Sequence, residues 1–260
     1  MQGLLGGVEA VYRQLYIGSM ATAIKHTIYR PMVPDDADIL MAGGARASFD
    51  MPSVLDPRGE HLSCFTGGMF ALGGKIFDLH EHVEIGRKLT DGCIWAYNAL
   101  PLGMMPEVFH MVPCKDKMDC KWNETLWRDS VYTGQHTPPK GFASISDTRY
   151  ILRPEAIESV FIMYRITGEQ KYQDHAWDMF NAIINAAETP LAYAALSDIT
   201  HTRAELDKGL IEIRVDSMES FWMAETLKYF YLIFSEPSVI SLDEWVFNTE
   251  AHPFKRTVAR

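Results

Sequence analysis

The stretch that most constrains the fold is DSMESFWMAETLKYFYLIF, residues 216–234, because it is apolar on nearly every side. A helix at a protein surface keeps one polar face, whereas a helix that is apolar all round is enclosed by other elements. Apolar residues at helical spacing predict further helices at 8–28, 154–167 and 170–187. No strands alternate regularly with these helices, which argues against a parallel α/β sheet. The sequence therefore predicts an all-α fold with irregular connections.

The remaining segments are less regular. Residues 38–49 have the composition of a β-hairpin, and Gly92 is predicted to lie near the end of a helix. A helix is predicted from residue 93, with a break at a Pro-Leu-Gly triplet and a second helix that begins at Pro106. Residues 112–148 form a polar insertion with weak periodicity, which predicts loop with short strands.

Composition excludes several classes of function. The 260 residues carry a formal net charge of -10, and Lys and Arg form no run, which argues against nucleic acid as a partner. No apolar run is long enough to span a membrane. The first twenty residues lack the basic start and apolar core of a signal peptide.

The four cysteines lack the CxxC spacing of a zinc site. In an oxidising compartment Cys64 and Cys93 could close a loop of roughly 30 residues, worth roughly 3.5 kcal/mol in the chain-entropy model. The sequon at Asn123 is consistent with such a compartment.

Carboxylates recur where apolar helices are predicted to begin, at Glu107, Glu155 and Glu219. The helix dipole favours an acid in the first turn and is sufficient to explain one such residue. It does not explain Glu158, which lies three residues after Glu155 on the same face of the helix. Buried carboxylates are costly unless they are paired or bound to a metal, and Arg153 can pair with only part of the set. We therefore expect a shared cavity that binds a cation or a hydroxyl-rich ligand.

The segment SLDEWVFNTEAHPF, residues 241–254, has two interpretations. It can be a turn closed by Pro253, or Thr249 and Glu250 can donate oxygen atoms to a hard cation such as calcium. The histidines, including His61, follow no metal-binding spacing, and hydrogen bonding is the simpler role for them.

Four stretches together resemble one family, the class I α-1,2-mannosidases of glycoside hydrolase family 47, and the fungal type most of all. They are HLSCFTGGM (61–69), LRPEAIES (152–159), DSMESFWMAETLKYFYLIFS (216–235) and VFNTEAHPF (246–254). The resemblance identifies residues 1–260 as part of the family's catalytic domain, its C-terminal half. Family members carry further helices before this region, including a Glu regarded as the general acid, and we expect this missing N-terminal half as a partner.

The resemblance implies an (α/α)7 barrel, here about half of it, with irregular loops and short β-hairpins. It also implies Ca²⁺ as cofactor and the inverting hydrolysis of terminal α-1,2-linked mannose from oligomannose N-glycans. The expected location is the secretory pathway, in the Golgi or endoplasmic reticulum lumen or outside the cell.

Carried over residue by residue, the resemblance implies Glu155 as a catalytic carboxylate and the candidate general base, and Glu107 as a second catalytic carboxylate, with the division of acid and base roles between the two left open. Thr249 matches the calcium ligand. Six residues match the shell around the sugar and the calcium-bound water: Arg153, Glu158, Glu219, Phe221, Glu250 and His61. Cys64 and Cys93 match the family's disulfide, and Cys114 and Cys120 are candidates for an additional one.

Two alternatives remain. The chain can be a non-catalytic glycan-binding module that keeps calcium and mannose affinity, or an inactive fragment that does not fold alone. Calcium-dependent mannose release distinguishes the enzyme from the module, and cooperative unfolding distinguishes the module from the fragment.

Overall fold

The structure, a computed structural model, describes residues 7, 9–131 and 137–256. Within them the chain is mainly helical, with short strands in the connections. The helices are α1 (Ala10–His26), α2 (Phe65–Phe77), α3 (His80–Asn98), α4 (Glu124–Ser130), α5 (Glu155–Thr167), α6 (Lys171–Ala187), α7 (Arg203–Asp207) and α8 (Leu227–Ile233). A 3-10 turn, His61–Cys64, precedes α2, and a π-helical turn, Trp222–Thr226, precedes α8. No described helix is long and apolar enough to cross a membrane.

The strands form small antiparallel sheets. Two-stranded sheets pair β1 (Ile28–Tyr29) with β2 (Met41–Ala42), β3 (Gly44–Ser48) with β4 (Met51–Asp56), β8 (Ala195–Leu196) with β9 (Arg214–Val215), and β10 (Trp245–Phe247) with β11 (Pro253–Lys255). The largest has the order β5-β6-β7, formed by Arg58–Glu60, Val108–Met111 and Phe142–Asp147. The hairpin predicted within 38–49 does form, but its second strand lies beyond that range, in β4.

Two helical hairpins, α2–α3 and α5–α6, form the centre of the molecule. Helices α2, α5 and α8 pack side by side, while α3 packs behind α2 and α5, and α6 behind α5 and α8. Glycines permit the close contact of α2 with α3, because a Cβ on Gly86 would lie 2.6 Å from the backbone nitrogen of Ala71. One apolar core runs through these helices and contains Tyr97, Phe161 and Trp222.

Several predicted boundaries are confirmed, including those of α5 and α6 to within one residue. Helix α1 lies within the predicted range 8–28, whose first residue is outside the described part of the chain. Gly92 does not end a helix, since α3 continues through it to Asn98. The glycine is needed there because a Cβ would lie 2.1 Å from the carbonyl oxygen of Leu40.

The prediction of a helix from Pro106 is wrong. Residues 108–111 form β6, and their side chains alternate between half-buried and buried, the two-residue period of a strand. Strands on both sides bind it, so hydrogen bonds to β5 and β7 outweigh the weak local helical signal. The polar insertion also contains a helix that the periodicity missed, α4, which the side chain of Asn123 caps by accepting a hydrogen bond from the Leu126 amide.

Candidate active site

The first turn of α5 brings two carboxylates to one place. Pro154 caps the helix and Glu155 is its first residue, where free backbone N–H groups and the helix dipole favour negative charge. The residue before Arg153 is Leu152, which is fully buried and has a positive φ of 66°. Such a backbone conformation costs a non-glycine residue about 1–2 kcal/mol. The Thr226 hydroxyl holds it in place by donating to the Leu152 carbonyl at 2.7 Å.

Glu155 is buried and held from two sides. His61 Nδ1 lies 3.2 Å from Glu155 Oε2, and an Arg153 guanidinium nitrogen lies 3.5 Å from Oε1. Burial acts to raise the pKa of Glu155, but the hydrogen bond with His61 and the charge of Arg153 act against it, and the pKa lies below its ordinary value. Glu155 is therefore an ionised carboxylate with fixed orientation.

Glu107 shares the same arginine. Arg153 Nε donates to Glu107 Oε2 at 2.6 Å, and the guanidinium stacks 5.8 Å from the centre of the Phe221 ring. Glu107 is 7% exposed, yet its Oε1 has no hydrogen-bond partner. Glu107 thus lies directly before the strand β6 rather than in the predicted helix, and it still reaches the neighbourhood of Glu155 through Arg153.

A cavity of about 590 Å³ opens in front of Glu155. Its polar end is lined by Glu155, Glu158, Glu225, Asn248 and Thr249. Asn248 and Thr249 are in the turn between β10 and β11, so the C-terminal hairpin faces the first turn of α5 across the cavity.

The cavity continues along an apolar wall on α2 and the turn before it. The wall contains Leu62, Phe65, Met69, Leu72 and Ile76, which recur at intervals of three and four residues. Leu62 and Ile76 are more than 40% exposed. Residues at this spacing form the stripe by which one helix packs on another.

Negative charge accumulates at the polar end. Burial raises the pKa of Glu158 to about 8, with further contributions from the charges of Glu155 and Glu225. Burial and the charges of Glu155 and Glu250 also raise the pKa of Glu225, against the opposing effect of Lys228. Neither Glu158 nor Glu225 forms an ion pair in the described part of the chain. A cation in this cavity would relieve that repulsion.

The predicted site residues do not all reach this cavity. Glu155, Glu158 and Thr249 line it, and Arg153, Glu107 and Phe221 lie beside it. His61 is fully buried behind Glu155 and does not line the cavity. Glu250 is exposed, 3.8 Å from His252.

Glu219 also lies outside the cavity. It precedes the helical segment that contains the π-helical turn and α8. That segment begins at residue 220 rather than at 216, and the side chain of Glu219 is exposed. Glu225 occupies the cavity instead, and the sequence reasoning missed it. The signal was present, because Glu225 is an acid within a helix predicted to be enclosed by apolar residues. The π-helical turn around it changes the angular spacing that periodicity assumes.

Both cysteine pairs form disulfides, Cys64–Cys93 and Cys114–Cys120. The first joins the start of α2 to the middle of α3, and so fixes the turn that carries His61.

Comparison with known proteins identifies the family of the chain. The model of glycosyl hydrolase family 47 matches residues 1–256. The chain belongs to glycosyl hydrolase family 47. The chain is 33% identical, over 95% of its length, to the probable mannosyl-oligosaccharide alpha-1,2-mannosidase 1B of Aspergillus clavatus, and covers 45% of that relative. It is 35% identical, over 77% of its length, to the mannosyl-oligosaccharide alpha-1,2-mannosidase IA of Spodoptera frugiperda, and covers 26% of it.

A solved structure shows the same fold. The alpha-1,2-mannosidase from Trichoderma reesei matches 95% of this family 47 chain with a TM-score of 0.75 and 30% sequence identity. The match covers 48% of that protein. The chain thus spans less than half the length of each of these relatives.

Proposed function

We propose that the chain carries part of the active site of a calcium-dependent α-1,2-mannosidase that trims terminal mannose from oligomannose N-glycans with inversion. One observation carries the proposal: Glu155, Glu158, Glu225 and Thr249 line a single cavity, which Arg256 also lines, and neither Glu158 nor Glu225 forms an ion pair among the described residues. The names of the relatives supply the substrate class. Oligomannose glycans are built in the secretory pathway, and two disulfides are typical of proteins that fold there.

The donor atoms fit calcium. Carboxylate, hydroxyl and carbonyl oxygens are the ligands that Ca²⁺ prefers, and Thr249 offers the latter two. Within the described residues no three His, Cys, Asp or Glu side chains lie close enough to hold a metal between them. The residues that would hold the ion are Thr249 together with Glu158 and Glu225, which line the same cavity. When bound, the ion would supply a fixed positive charge that orients sugar hydroxyls.

Glu155 is the proposed general base. An inverting glycosidase needs a carboxylate that removes a proton from water on one face of the sugar and an acid that protonates the leaving oxygen on the other. Glu155 is ionised, and His61 and Arg153, each in contact with one carboxylate oxygen, fix the orientation of the carboxylate. Glu107 accepts from Arg153 at 2.6 Å, which suits a residue that orients the arginine and the sugar.

The acid is proposed to come from the part of the catalytic domain that this chain does not span. The apolar wall on α2 supports an acid from another part of the domain. The residues of the wall recur at the spacing by which one helix packs on another, and an apolar surface offers no partners to sugar hydroxyl groups. Further helices of a barrel would cover the wall and complete the cavity.

Mannose release from α-1,2-linked mannobiose by the complete catalytic domain, in which the missing N-terminal half supplies the acid, tests the proposal with calcium and after its removal with EGTA. In that domain Glu155→Gln should abolish release while calcium binding persists, and Glu236→Gln, at an exposed position, should change neither. Calcium and mannose binding without release by the unmodified complete domain would instead favour the glycan-binding module. Release in EGTA equal to that in calcium would refute the proposed cofactor.

A further inference from the structure

A buried row of hydrogen bonds lies behind Glu155, on the side away from the cavity. His61 is fully buried, and each nitrogen of its ring meets one protein group. Nδ1 lies 3.2 Å from Glu155 Oε2, and Nε2 lies 2.7 Å from the hydroxyl of Tyr97, which is 1% exposed. Tyr97 belongs to α3 and Glu155 to α5, so the row connects the two layers of helices.

The partners of His61 determine where its protons are. An ionised Glu155 can only accept a hydrogen bond, so Nδ1 must carry a hydrogen. Nε2 then either accepts from the Tyr97 hydroxyl, in a neutral ring, or donates to it, in a charged ring. Burial raises the pKa of Tyr97 well above its ordinary value, so its hydroxyl keeps a hydrogen to donate.

Tyr150 distinguishes the two arrangements. Its side chain is fully buried, and its hydroxyl interacts with that of Tyr97 but makes no hydrogen bond of standard geometry. If Tyr97 donates to His61, the Tyr97 hydrogen has an acceptor. If His61 donates to Tyr97, the Tyr97 hydrogen has no acceptor of standard geometry among the described residues, because the Tyr150 hydroxyl does not offer one. A buried donor without a partner costs about 1–3 kcal/mol, which favours the first arrangement.

We propose that Tyr97 is a positioning residue for the base: its hydroxyl donates to Nε2 of a neutral His61, which donates from Nδ1 to Glu155. Tyr97 thereby prevents the imidazole from turning and leaves Glu155 paired with a dipole rather than with a full positive charge. The importance of Tyr97 for catalysis rests on the proposed role of Glu155 as general base. The arrangement of protons on Tyr97 and His61 does not depend on that role.

The arrangement is tested by long-range ¹H–¹⁵N correlation spectra of the histidine-labelled chain near neutral pH. We expect His61 to show a hydrogen on Nδ1 and none on Nε2. In Tyr97→Phe the Nε2 resonance should move toward that of a ring nitrogen without a hydrogen bond. Tyr172→Phe is the matched control, since Tyr172 is fully buried and its hydroxyl has no hydrogen-bond partner among the described residues. A hydrogen on Nε2 in the unmodified chain would overturn the proposal, and this result does not depend on how the variants fold.

Kinetics provides the second test. With mannose release by the complete catalytic domain as the assay, Tyr97→Phe should lower kcat about tenfold with little change in KM, because it acts on the base rather than on binding. Tyr172→Phe should change neither constant. An equal loss of kcat in both variants would show that Tyr97 acts only through packing, and would overturn its positioning role. If the unmodified complete catalytic domain releases no mannose but His61 shows the expected protonation, the proposed function fails and the hydrogen-bond arrangement stands.

Discussion

Replacing Glu158 with Gln should stabilise the calcium-free protein at neutral pH. In the folded chain burial and the charges of Glu155 and Glu225 raise the pKa of Glu158 to about 8, against an ordinary value of 4.5. Below the ordinary value the group is neutral in both folded and unfolded chains and does not affect stability. As pH rises from there to about 8, the unfolded chain loses the proton first, so the carboxyl increasingly destabilises the fold.

The size of the effect follows from these two values. At about pH 7 the linkage relation gives a cost of about 3 kcal/mol, and at about pH 5 a cost of about 1 kcal/mol. Glu158→Gln keeps the size of the side chain and removes the charge. The variant should therefore exceed the unmodified chain in free energy of unfolding by about 3 kcal/mol near pH 7 and by about 1 kcal/mol near pH 5.

Urea denaturation in EDTA at both pH values measures these differences. Glu236→Gln is the control for the substitution itself, since Glu236 is exposed and should show no such dependence. A difference between Glu158→Gln and the unmodified chain that is the same at both pH values would refute the reasoning. So would a variant that is less stable than the unmodified chain near pH 7.

Three further changes test the fold, each by the midpoint of urea denaturation. Gly86→Ala should destabilise by about 1–3 kcal/mol, because the new methyl group meets backbone atoms of α2 that cannot move aside; unchanged stability would mean that the α2–α3 contact is looser. Replacing both Cys64 and Cys93 by Ser removes a disulfide with a sequence separation of 29 and should lower the free energy of unfolding by about 3.5 kcal/mol; equal stability of the unmodified chain with and without reductant would contradict this. Thr226→Val leaves the buried Leu152 carbonyl without its donor and should cost about 1–3 kcal/mol, with Thr226→Ser as the variant that restores the hydrogen bond.

Sequence periodicity predicted the parts of the fold whose stability comes from one continuous apolar face. Helices α5 and α6 each have such a face, and their predicted limits differ from the observed ones by one residue. It failed where long-range contacts decide the structure. Val108–Met111 becomes a strand because β5 and β7 lie on either side of it, and Gly92 continues a helix because a distant carbonyl requires the space.

The site was predictable to a similar extent. The pair Glu155 and Glu158 was predicted because burying a carboxylate among apolar residues is costly unless the carboxylate is paired or bound to a metal. Both residues line the cavity. Glu225 satisfies the same criterion but lies in a π-helical turn, where 3.6-residue spacing does not hold. Glu219 was chosen in its place because the start of the helix was set four residues too early. The partners of His61, at Tyr97 and Glu155, are separated from it by 36 and 94 residues and have no local signal.

The central claim is that the cavity around Glu155 belongs to a calcium-dependent inverting mannosidase. Real-time ¹H NMR of α-1,2-linked mannobiose tests it most directly, because the anomeric proton of the released sugar reports both turnover and stereochemistry. The account predicts that β-mannose appears first, in the presence of calcium, and that EGTA stops its release. Initial release of α-mannose, release that EGTA does not affect, or no release by the calcium-saturated complete catalytic domain, with the N-terminal half present, would contradict it.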